Sequence, residues 1–106
     1  MHRLDGTEIW HHYAGAPVRM LLLHDDGLVS RPVLGDGLET GERPCVIVAE
    51  GEWMGAETAG DWSLVGTTMA PGYTEEGFEL GGRDALSAAY PEAAGDIARL
   101  TREVPA

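Results

Sequence analysis

The chain has 106 residues, 18 Asp and Glu against 7 Arg and no Lys, and a net charge of -11. That length suits one domain. A surface this acidic repels phosphate backbones and anionic lipid, so no nucleic-acid and no membrane partner is expected. No basic segment followed by an apolar stretch opens the chain, and its apolar runs are too short to span a bilayer. The single cysteine, Cys45, can form no internal disulfide, which points to a reducing, cytoplasmic setting.

The predicted elements are strands over about 8–70 and a helical C-terminus over about 84–104, all within a single domain spanning 1–106. The segment from His2 to Gly15 gathers three of the four histidines, a carboxylate, a Trp and a Tyr. Within it, 8–13 reads as a strand on its Ile, Trp and Tyr content, closed by the turn Ala14-Gly15-Ala16-Pro17. A nearly continuous apolar run over 18–24 follows. Asp25-Asp26-Gly27 then turns the chain into a strand over 28–34, because Asp-Gly tolerates the positive φ of a tight hairpin. A polar, glycine-rich loop covers 35–44. A strand over 45–49 is expected to hold Cys45 as a small buried residue. After the turn at Glu50-Gly51, short strands over 52–56 and 61–70 complete the set, the last stopped by Pro71-Gly72. Short strands between frequent Gly and Pro turns indicate an antiparallel sandwich or barrel. From Asp84 the period changes. Asp84 is expected to cap a short helix ending at Tyr90, and Pro91 to open a second with Ala93, Ile97, Leu100 and Val104 on one face.

The first strand carries the chemistry. Alternation puts Glu8, Trp10 and His12 on one face and Ile9, His11 and Tyr13 on the other. A carboxylate on an interior face is desolvated, which raises its pKa and can poise it for proton transfer near neutral pH. The competing expectation is an edge strand with Glu8 and one histidine solvated. Elsewhere His24, beside Asp25 and Asp26, reads as a turn histidine. Trp53 and Trp62 read as core or pocket-wall residues, and Tyr73 to Phe78 as a solvated connection.

His2, Leu4, Glu8 and Gly15 fall on the frame of the first cupin motif, which runs His, one residue, His, three or four residues, Glu, six residues, Gly. Three of the four positions match. Ala49, Gly51, Met54 and Thr58 fall on the frame of the second motif, where only the glycine matches. Thr7-Glu-Ile-Trp-His-His-Tyr-Ala-Gly15, Leu64-Val-Gly-Thr-Thr-Met-Ala-Pro-Gly-Tyr73 and Tyr90-Pro-Glu92 further resemble the cupin family often labelled a predicted sugar epimerase family. The resemblance covers nearly the whole chain and implies an all-β cupin jelly-roll (double-stranded β-helix) barrel with a C-terminal α-helix. It also implies a homodimer that holds a small molecule in its mouth. Family members carry a stretch before the first motif, so the resemblance implies an N-terminally shortened barrel that a second copy covers.

In metal-binding cupins the two His and the Glu of the first motif and the His of the second hold the ion. Carried across, those positions are His2, Leu4, Glu8 and Met54. Leu4 cannot ligate, and a thioether suits soft ions rather than Fe(II), Mn(II) or Zn(II). No metal and no cofactor are therefore expected. The expected function is a small-molecule-binding cupin acting as a metal-independent isomerase, epimerase, cyclase or lyase. Glu8 with His11 or His2 would serve as acid and base, and Trp10, His12, Tyr13, Trp53 and Met54 would contact the ligand. The alternatives are a non-catalytic sugar- or metabolite-binding module and, behind it, a metal-dependent cupin enzyme.

Overall fold

A computed structural model of the chain describes residues 1–102. Nine strands form two antiparallel sheets, and two short helices follow. The strands are β1 (His2–Leu4), β2 (Thr7–Gly15), β3 (Val18–Leu23), β4 (Val29–Ser30), β5 (Val33–Leu34), β6 (Cys45–Val48), β7 (Trp53–Thr58), β8 (Ser63–Ala70) and β9 (Phe78–Leu80). The first sheet has the order β4-β3-β7-β1-β9, with β5 also paired to β3, and the second the order β6-β2-β8. Helix α1 is Arg83–Ala89 and α2 is Ala94–Leu100, joined through a 3-10 turn at Pro91–Ala93. Two packed antiparallel sheets followed by short helices are the architecture that the resemblance implied.

The two sheets face each other over a core of Leu4, Val18, Met20, Leu22, Leu34, Val46, Val48 and Met54, flanked by Trp10 and Met69. Strand β3 explains its own composition. Its even residues enter the barrel, while Leu21 and Leu23 face outward and pack with Leu86, Tyr90, Ala93 and Ile97 of the helical segment. A strand buried on both faces needs the unbroken apolar run seen in the sequence.

Three local readings are corrected. The expected strand over 28–34 is two pieces, because Arg31-Pro32 interrupts it and proline has no N–H for the ladder. Gly82, rather than Asp84, is the N-cap of α1, and Asp84 lies in its first turn. Cys45 is exposed, not buried, because Val46 and Val48 take the inward positions of β6 and turn Cys45 and Ile47 to the outer face. The expected hairpin at Asp25-Asp26-Gly27 is present: Gly27 adopts φ 85°, and its N–H donates to the His24 carbonyl at 3.0 Å. Ile97 and Leu100 do line the helix face packed on the sheet, whereas Val104 lies outside the described residues. Among the described residues no helix is long and apolar enough to cross a membrane.

Candidate functional site

Glu8 is the centre of the candidate site. It lies on β2 opposite Val48 of β6 and Met69 of β8, both of which pack into the barrel, so its carboxyl enters the same interior. Only 8% of the residue remains exposed. Strand β1 brings His2 beside it: Leu4 faces the core, alternation turns His2 to the same side, and His2 pairs with Met54 in register. The His2 Nε2 lies 4.0 Å from Glu8 Oε1. Phe78 of β9 stacks on the His2 ring, with centroids 5.3 Å apart and planes at 19°. Tyr73 in turn meets Phe78 edge-on at 6.4 Å.

Burial sets the electrostatics. It pushes the Glu8 carboxyl above the ordinary carboxylate value, and the neighbouring Trp10 indole and Thr67 hydroxyl only partly oppose this. Those neighbours do not close the site: Glu8 Oε1 and Trp10 Nε1 are both buried without a hydrogen-bond partner. Burial, helped by the Met1 ammonium, lowers the His2 pKa. The two shifts bring the acid and the imidazole toward each other on the pH scale.

The remaining predicted residues separate by face. Trp10 lies against the barrel core beside Glu8, and Met54, only 1% exposed, lies beneath His2. His12 follows on the inward side of β2, but its Nε2 is engaged with the Ala16 carbonyl at 3.1 Å, next to a bulge between His12 and Ala14. His11 is on the opposite face from Glu8. It contacts Thr68 Oγ1 at 3.1 Å and Cys45 Sγ at 3.5 Å and stacks parallel to the exposed Tyr13. His11 and Tyr13 therefore do not join Glu8 within one chain. Trp53 lies on the helix-facing side of β7, beneath the Arg3 guanidinium at 4.5 Å, and Trp62 is 60% exposed. Sequence reasoning favoured a solvated connection for Phe78 over closure of the barrel mouth, and did not single out Thr67. Phe78 sits in a three-residue strand, too short to show a period, and Thr67 signalled only as one more residue of β8.

The positions that hold a metal in other cupins converge here as His2, Leu4, Glu8 and Met54, and Leu4 and Met54 form part of the apolar core. Two donors and two core hydrocarbon or thioether groups do not fit a divalent ion of the usual kind. Among the described residues no group of three or more His, Cys, Asp or Glu side chains converges.

Comparison with known proteins agrees with the fold. The family model described as Cupin superfamily (DUF985) matches residues 1–81. The chain is similar to a protein from Shewanella oneidensis solved by X-ray crystallography, with TM-score 0.90 and 35% identity, over 97% of this chain and 66% of that one. It is also similar to a hypothetical protein from Leishmania major, with TM-score 0.84 and 26% identity, over 96% of this chain and 68% of that one. It thus spans 66% and 68% of their lengths. Among curated proteins there is no match. The chain belongs to the cupin superfamily, in the family DUF985.

Proposed function

We propose that this cupin binds a small polar, carbonyl-bearing molecule at Glu8 and His2 and moves a proton on it without a metal, as an isomerase, epimerase, cyclase or lyase does. The observation that carries this reading is the pairing of a buried carboxyl, raised in pKa, with an imidazole lowered in pKa at 4.0 Å. In this scheme Glu8 removes a proton beside the carbonyl and His2 relays or returns it, while Phe78 and Trp10 shape the walls. A binding module without turnover is the second reading. It is supported by the unpartnered Glu8 Oε1 and Trp10 Nε1, an acceptor and a donor that one hydroxyl of a ligand can satisfy together.

Solvent-exchange mass spectrometry separates the two. A panel of aldoses, ketoses and hydroxy acids is incubated in D2O with the protein, and deuterium is read at the carbon beside the carbonyl. The enzyme reading predicts incorporation with the wild type, its loss in Glu8→Gln and His2→Ala, and its persistence in His11→Ala. Ligand binding seen by NMR with no incorporation for any bound compound overturns the enzyme reading in favour of the module.

We also propose a homodimer. The support is the outer face of the second sheet, where Tyr13, Ile47 and Leu64 are 63%, 65% and 54% exposed. A monodisperse monomer in light scattering at micromolar concentration overturns it.

A further inference from the structure

A second constellation lies away from Glu8, at the β3–β4 hairpin. His24 follows β3 two residues after the inward-facing Leu22, and Ser30 of β4 pairs directly with Leu22. Glu52 precedes β7, whose Trp53 is in register with Leu23. Alternation therefore places His24, Ser30 and Glu52 on one face of the sheet. The Ser30 Oγ lies 2.6 Å from His24 Nε2, and His24 Nδ1 forms an ion pair with Glu52 Oε2. Glu52 and His24 are held in turn. The Ala49 N–H donates to Glu52 Oε1 at 3.2 Å, and the Tyr90 hydroxyl donates to the His24 carbonyl at 2.8 Å. The side chains of His24 and Glu52 retain 27% and 17% exposure, so the relay is shielded but not sealed.

A carboxylate beside Nδ1 favours the tautomer with its proton there, which leaves Nε2 to accept from the serine hydroxyl. That is the geometry of a nucleophilic serine with a histidine base and an orienting acid, a constellation recognised by roles rather than by fold. Ser30 also lines a cavity of about 580 Å³ whose other walls include Leu22, Pro32 and Val46 together with the polar Arg31, Arg43 and Cys45. The nucleophile thus faces open space, with the base behind it. Leu22, Pro32 and Val46 leave room for a short acyl group in a lining that is mostly polar, and Arg43 on a chain of net charge -11 suits a substrate that carries a carboxylate.

We propose that Ser30, His24 and Glu52 form an acyl-transfer site for small anionic esters, independent of the Glu8–His2 pair. Ser30 Oγ attacks the ester carbonyl carbon, and its proton passes to His24 Nε2. The tetrahedral adduct collapses with cleavage of the bond to the leaving alcohol, which takes that proton. Water, deprotonated by His24, then cleaves the acyl-serine and restores Ser30. Ser30 and His24 are the catalytic residues, and Glu52 is a positioning residue.

The test uses diisopropyl fluorophosphate, which reacts by the same attack: the Ser30 oxygen bonds to phosphorus, fluoride leaves, and the proton goes to His24. Labelling rates are followed by intact mass and mapped by peptide mass spectrometry on the whole chain. The expected results are one label at Ser30, none in Ser30→Ala, and about 100-fold slower labelling in His24→Gln, the scale of a lost general base. Glu52→Gln slows labelling and Glu52→Asp restores part of it, which loss of structure alone would not do. Circular dichroism of Ser30→Ala, a change of one oxygen atom, verifies the fold. Absence of label on Ser30 in the folded wild type, or labelling as fast in His24→Gln, overturns the proposal.

Discussion

Replacing Ile97 with Ala tests how the helical segment holds the barrel. Ile97 is fully buried, packed with Leu21 and Leu23 of β3 and with Leu86, Tyr90 and Ala93. Truncation removes three carbons, or about 2.4 kcal/mol of transfer free energy at about 0.8 kcal/mol per group. The unfilled space adds about 1 kcal/mol, because close-packed neighbours relax only in part. A loss of about 3–4 kcal/mol follows, against a total stability of about 5–15 kcal/mol for a domain of this size. Urea unfolding should show the midpoint lowered with the slope unchanged. Thermal scans should show Tm down by roughly 12–32 °C, from about 4–8 °C per kcal/mol. Leu80→Ala is the control: Leu80 is 71% exposed, and its truncation should change stability by less than about 0.5 kcal/mol. If Ile97→Ala costs less than about 1 kcal/mol, the helices are not docked on the sheet as described.

Gly15→Ala should destabilise the chain by at least about 1–2 kcal/mol in thermal unfolding, because φ is 82° there. The added Cβ would also lie 2.7 Å from both the Trp62 ring and the Trp62 carbonyl, and a loss below about 0.5 kcal/mol contradicts this. Leu4→His combined with Met54→His completes a four-ligand frame with His2 and Glu8. Calorimetry should then show one saturable site for Zn(II) or Ni(II) that the wild type lacks, and a stoichiometric wild-type site lost in Glu8→Gln refutes the reasoning. Glu8→Gln should also change the pH dependence of stability. Because folding raises the Glu8 pKa, the folded state binds the extra proton, so the wild type loses stability as pH rises from the unfolded value through the folded one. The variant lacks that loss, and parallel curves for the two proteins would sink the argument.

The sequence was most legible where physics is local. The apolar run of β3, the Asp26-Gly27 turn and the alternation along β2 each state their structure within a few residues, and the two cupin frames placed His2, Leu4, Glu8 and Met54 together. What stayed hidden depends on distant partners. Strands β1 and β9 are three residues each and form because they pair with each other, so neither carries a period of its own. The choice between His2 and His11 as the companion of Glu8 turned on which face of β2 meets the core. That is fixed by Val46 and Val48 on β6 rather than by β2 itself. The His24–Ser30–Glu52 contacts join a hairpin to the turn before β7. Reading His24 as a turn residue was reasonable locally, and its ring contacts lie beyond the turn.

The proposed function rests on burial raising the Glu8 pKa and lowering that of His2 beside it. Its most direct test is an NMR titration of the Glu8 side-chain carboxyl and the His2 ring, assigned with Glu8→Gln and His2→Ala. The account predicts a Glu8 midpoint above the ordinary glutamate value of about 4.3 and a His2 midpoint below the ordinary value of about 6.5. A depressed Glu8 midpoint together with an elevated His2 midpoint would mark an ordinary ion pair and contradict the account.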